Sequence, residues 1–154
     1  MNSVSSPAMA YLVRFASSPE DLDVGYALRR DVFEKEQNIP RPLDRDPFDY
    51  SADHVVAFDG KGRCVGTGRV VRMDSRTAQV GRMAVAKDER KHGVGALVLQ
   101  ALERMASMRG ISELTVSSQI PAESFYAKRG FTRIGDVFLD QGVPHVVLRK
   151  PLVK

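Results

Sequence analysis

The chain has 154 residues, 43% of them hydrophobic and 27% charged, which is enough for one domain with its own core. Its net charge of +4 comes from scattered basic residues, which suits a small anionic ligand and gives no nucleic-acid-binding arm. One cysteine (Cys64) excludes an intramolecular disulfide and a cysteine metal cluster, the three histidines (His54, His92, His145) form no local metal motif, and no apolar run reaches membrane-spanning length.

Residues 1–9 are polar and Ser-rich, without the basic and apolar regions of a signal peptide. They read as a disordered leader before a single domain over 10–154, with the cytoplasm as the simplest location. Residues 10–16 form a first strand. Ser17-Ser18-Pro19-Glu20-Asp21 then opens a helix over 19–36, with hydroxyl caps, an early proline and acids at the positive end of the dipole. Leu22, Tyr26, Leu28, Val32 and Phe33 face the core. Residues 37–51 carry three prolines (Pro40, Pro42, Pro47) and several acids, which forbids a regular element and leaves a binding loop or an exposed connector.

Strands over 54–58 and 64–72 form a hairpin across Asp59-Gly60-Lys61-Gly62, with Cys64 as a small buried hydrophobe. Residues 79–85 make the next strand. The helix over 94–109 has the firmest pattern: Val94, Leu97, Val98, Ala101, Leu102, Met105 and Met108 recur at spacings of three and four, and Gly110 ends it. A strand over 113–118, a short helix over 121–129 stopped by Gly130, and strands over 134–139 and 145–150 joined by Asp140-Gln141-Gly142 complete the chain. The order β-α-β-β-β-α-β-α-β-β is that of a mixed α/β domain.

Between the fourth strand and the long helix stands Arg90-Lys91-His92-Gly93-Val94-Gly95. A glycine-rich turn opening a helix presents unpaired N–H groups and a positive dipole end, which together bind phosphate. A nucleoside-triphosphate loop would need Gly-Lys followed by Ser or Thr, which the chain lacks. A dinucleotide fingerprint would need a third glycine where Val98 stands, and Glu113, at the right distance for the ribose acid, begins its strand instead of ending it.

The pattern Arg-x-x-Gly-x-Gly, after a strand ending Arg82-Met83-Ala84-Val85, resembles the acetyl-CoA signature of the GNAT superfamily of N-acetyltransferases. The downstream segment Phe125-Tyr126-Ala127-Lys128-Arg129-Gly130-Phe131 is similar to a second GNAT feature. Arg29 through Gln37, His54-Val55-Val56, Gln119 and Pro144-His145-Val146 resemble the ElaA- and YjcF-like branch.

The resemblance implies a twisted, mostly antiparallel sheet splayed between its fourth and fifth strands, with acetyl-CoA as co-substrate and no metal. Met83, Ala84 and Val85 would hold the pantetheine arm through their backbone, as an added strand. Arg90, Lys91, His92, Gly93, Val94, Gly95 and Ala96 would take the pyrophosphate, with Gln119 also on the cofactor side. Tyr126 would be the general acid near the departing sulfur.

Many family members carry a glutamate base on the fourth strand. Here those positions read Gln79-Val80-Gly81-Arg82, so Glu36, His54, His145 or water must substitute. The expected acceptor is a primary amine, and the acids over 44–49 point to a cationic one. A homodimer is one admissible assembly. Two other functions compete: a CoA-binding sensor without catalysis, and an acyl-homoserine-lactone synthase, whose N-terminal halves resemble Val32-Phe33 and Asp46-Pro47-Phe48-Asp49 but commonly carry a tryptophan this chain lacks.

Overall fold

The computed structural model describes residues 10–36 and 45–152; the leader expected over 1–9 and part of the proline-rich loop lie outside them. The elements in chain order are β1 (Leu12–Phe15), α1 (Pro19–Arg30), β2 (Asp53–Phe58), β3 (Cys64–Arg72), β4 (Thr77–Val85), α2 (Val94–Met108), β5 (Glu113–Gln119), α3 (Glu123–Ala127), β6 (Thr132–Asp140) and β7 (Val143–Pro151). This is the expected order. All seven strands share one sheet, ordered β1-β2-β3-β4-β5-β7-β6. Among the described strands only β4 and β5 run parallel, and α2 supplies the crossover that such a pair requires.

Local chemistry sets the ends of these elements. The Ser18 hydroxyl caps α1 by accepting the Asp21 N–H at 3.1 Å, with Pro19 in the first turn. The helix expected over 19–36 is α-helical only to Arg30, and Asp31–Glu36 widens into a π turn. Such a turn rotates the side chains that follow it; here Val32 is buried and Phe33 is half-buried. The loop is also more regular than three prolines imply. Pro47–Tyr50 is a 3-10 turn, because Pro47 occupies a first-turn position where no N–H is needed and Asp46 and Asp49 cap it reciprocally. Gln141 and Gly142, both at positive φ, make the two-residue turn between β6 and β7.

Helix α2 buries Val94, Val98, Leu99, Ala101, Leu102, Met105 and Ala106. Leu97 is only half-buried. Met108, expected in the core, is 74% exposed. The chain reverses at Gly110 (φ 81°), and Ile111 donates its N–H to the Ala106 carbonyl at 3.0 Å, so Ile111 fills the buried place beyond the helix end.

The two faces of β3 receive different partners. A Cβ on Gly66 would stand 2.5 Å from Val94 Cγ1, and one on Gly68 would stand 3.0 Å from both Val98 Cγ1 and Leu102 Cδ1, so these glycines let α2 sit close. Thr67 and Arg69 point to the opposite face, where Thr67 meets Gly25 of α1.

Strand β4 carries the feature that positions the site. Thr67 pairs with Ala84, yet Arg69 pairs with Gly81, so β4 holds one residue more than β3 over this stretch. Within that stretch Arg82 sits at φ 51°, a conformation that non-glycine residues seldom adopt. Such a bulge bends its strand. Pairing with β5 stops at Val80 and Val116, while β5 continues to Gln119 along β7. The expected splay between the fourth and fifth strands is present.

Candidate active site

Over Gly81–Val85, β4 is paired toward β3 and, among the described residues, has no strand partner toward β5. Past its end, Lys87–Glu89 form a 3-10 turn and the chain enters α2 through Gly93, the N-cap, at φ 87°. Gly93 offers no side chain to cap this helix, and among the described residues no side-chain cap replaces it, so its first N–H groups lack an intrahelical acceptor. The two glycines do different work. Gly93 supplies the left-handed turn with open space around it, whereas a Cβ on Gly95 would lie 3.3 Å from the Phe125 ring. Arg90 is folded back: its Nε and Nη2 donate to the Val85 carbonyl at 3.2 and 3.0 Å, bracing the loop against β4. Lys91 and His92 are exposed, Ala96 is half-buried and Val94 is core. Residues 83–85 and 90–96 thus converge where β4 ends and α2 begins. An uncapped helix start beside an open strand edge suits a ligand with an anionic head and an amide-bearing arm.

Tyr126 of α3 is buried, edge-on to Phe125 (5.0 Å between centroids) and to Phe131 (5.6 Å). Burial pushes its phenol up to about 12, so it stays protonated at neutral pH. The contact of Phe125 with Gly95 ties α3 to the start of α2. Gln119 lies at the exposed end of β5, paired in register with His145 of β7.

The three candidate bases separate. The side chain of Glu36 lies outside the described residues. His54 is buried, donates Nε2–H to the Asp49 carbonyl at 3.0 Å, and is held below its ordinary pKa by that burial. His145 is half-buried and donates Nδ1–H to the Val143 carbonyl at 2.8 Å. Cys64, expected to be buried, is half-buried on a groove of about 550 Å³ that also meets Ala27, Asp31, Arg63 and Lys87, and desolvation pushes its thiol up to about 11.

Sequence reasoning missed a buried charge cluster. Arg29, 1% exposed, makes paired bonds to Asp49 at 2.9 and 3.1 Å. Arg69 reaches Asp46 at 2.6 and 3.0 Å and Asp49 at 2.7 Å, and Arg82 reaches Asp46 at 2.9 Å. Asp46 and Asp49 are therefore bound to arginines and do not form the acidic lure expected for a cationic acceptor; Asp44 lies outside the described residues. One signal was available: Arg29 stands three residues after Tyr26 and four before Phe33, on the stripe that faces inward.

Among the described residues, no helix is long and apolar enough to cross a membrane. A family model, the acetyltransferase (GNAT) domain, matches residues 17–152. The uncharacterised N-acetyltransferase YjcF of Bacillus subtilis is 35% identical over 136 residues, covering 88% of this chain and 96% of its own. An inferred N-acetyltransferase of Lactobacillus plantarum superposes with a TM-score of 0.87 at 27% identity, over 94% of this chain and 99% of that one. ElaA of Escherichia coli superposes with a TM-score of 0.77 at 23% identity, over 91% and 97%. The split sheet, the glycine turn behind it and a family match across nearly the whole domain agree, and the chain belongs to the GNAT acetyltransferases.

Proposed function

We propose that the protein transfers an acetyl group from acetyl-CoA to a primary amine by direct attack in a ternary complex. The observation that carries this reading is the opening between β4 and β5 beyond Val80, produced by the Arg82 bulge and ending at an uncapped helix start. Acetyl-CoA supplies an activated thioester. The backbone of Met83 and Val85 holds its arm as a strand would, and a β4 N–H polarises the carbonyl and stabilises the oxyanion. The N–H groups over 93–96 take the pyrophosphate, with Lys91 adding charge from the surface and Gln119 flanking the arm from β5. Tyr126 donates a hydrogen bond to the departing sulfur, a task for a phenol that burial keeps protonated.

No carboxylate stands on β4 beside the opening, and His54 is enclosed by its own cluster. That leaves Glu36, His145 or water to take the amine's proton; in this reading water takes it, and the amine attacks as the free base. Purified protein should release CoA thiol only when acetyl-CoA and a suitable amine are both present. Acetyl-CoA should raise the melting temperature of the native chain, and Gly93→Glu, which forces a side chain and an anion into the turn, should abolish that rise. An undiminished rise in the variant would remove the loop from the cofactor site.

A further inference from the structure

Resting on the acetyl-transfer reading, we propose that Arg82 receives a carboxylate of the acceptor, which makes the substrate class a carboxylate-bearing amine of the amino-acid type. The charge balance of the buried cluster leads there. Arg29, Arg69 and Arg82 bring three guanidinium charges, and among the described residues the hydrogen bonds to them come from two carboxylates, Asp46 and Asp49. Both carboxylates are fully engaged. Asp49 also accepts the Asp46 N–H at 2.8 Å, and Asp46 also accepts the Phe48 N–H at 3.0 Å. His54, buried against the same aspartate, contributes no negative charge, and Arg45 adds another cation nearby over the Tyr26 ring at 3.9 Å. Among the described residues the cluster therefore carries more positive than negative charge, which an anion would balance.

Arg82 is the member able to take that anion. Arg29 and Arg69 make two and three side-chain bonds, and their side chains are 2% and 8% exposed. Arg82 makes one, through Nη2, and its side chain is 29% exposed; the Nε of all three guanidiniums is enclosed without an acceptor. A guanidinium has five N–H donors in a fork that matches a carboxylate. Arg82 combines spare donors with access from solvent.

Its position fits the task. Arg82 lies two residues beyond the last β4–β5 pair and one before Met83, where the thioester would sit. It joins Arg69 on the sheet face toward α1, opposite the face on which α2 packs. A cofactor anchored at the start of α2 leaves the α1 face to the acceptor. An amino-acid nitrogen presented to the thioester from there carries its carboxylate, two bonds away, toward Arg82.

The test uses matched acceptors, α-amino acids and their carboxamides, compared by thiol release at equal free-base concentration. The native chain should favour the carboxylate by about tenfold or more in kcat/KM, as a charge-assisted bond in a desolvated site would give. Arg82→Gln should bring the ratio to within about twofold, through KM, and Arg82→Lys should restore part of it. Equal use of both acceptors by the native chain, or an equal loss for both in Arg82→Gln, would overturn the proposal. Calorimetric titration of the CoA-loaded chain with an N-acetyl amino acid and its carboxamide reads the same site without turnover. Carboxylate-selective binding without transfer to any amine would sink the transfer reading and keep the site; transfer without selectivity would do the reverse.

Discussion

Asp49→Asn is the sharpest test of the buried cluster. Asp49 accepts N–H groups from Arg29 at 2.9 and 3.1 Å, from Arg69 at 2.7 Å and from the Asp46 backbone at 2.8 Å. The amide keeps the shape, removes the charge and turns an NH₂ toward a guanidinium. Breaking one partner of a buried ion pair costs about 3–5 kcal/mol, a large share of the roughly 5–15 kcal/mol that holds a domain together. At roughly 2–4 °C per kcal/mol for a chain of this size, the melting temperature should fall by about 6–20 °C. Scanning calorimetry at neutral pH measures it.

The double variant Arg29→Met/Asp49→Asn should lose less than the sum of the singles, because it removes a charge that the single variant strands. Acid adds a further check. Burial alone would raise the Asp49 pKa, but hydrogen bonds from Arg29, the Asp46 N–H and Arg69 hold it well below the usual carboxylate range. The native state thus binds the proton less readily than the unfolded chain. The stabilisation is complete above about pH 4 and is lost as pH falls through the native value. Asp49→Asn should flatten that acid limb. A shift under about 2 °C, or strict additivity in the double variant, would refute the reasoning.

Tyr126→Phe should lower kcat by about ten- to a hundredfold while acetyl-CoA still raises the melting temperature; steady-state kinetics beside thermal melts would expose a purely structural role if kcat held. With the amine unprotonated only in solution, kcat/KM should climb with pH to the amine's own pKa, and a plateau near pH 7 would reveal a histidine base instead. Gly66→Ala brings a Cβ to 2.5 Å from Val94 Cγ1 and should cost about 1–3 kcal/mol in urea denaturation by lifting α2 from β3.

What the sequence made legible was whatever depends on neighbours along the chain. The period of α2, the Asp59-Gly60-Lys61-Gly62 turn and the glycine turn before α2 are local patterns, and their elements formed where those patterns put them. The charge cluster was illegible because Arg29, Asp46, Asp49, Arg69 and Arg82 come from four separate segments, and nothing in the spacing of an arginine says which distant carboxylate it will meet. Met108 fitted the helical period, but the chain turns at Gly110 and Ile111 beyond it took the inner place. The bulge at Arg82 left no local mark, since a left-handed arginine is held by tertiary surroundings, here the paired β3 and the bond to Asp46.

The interrupted pairing of β4 also has a dynamic signature. Up to Val80 its amides are enclosed by strands on both sides, and beyond that point those directed toward β5 have no strand to bond. Deuterium uptake should therefore change abruptly within a single strand, slow before Gly81 and fast at the β5-facing amides after it. A cofactor lying in the gap would act as the missing neighbour and erase that boundary, so the exchange pattern along β4 would report occupancy of the site before any acceptor had been found.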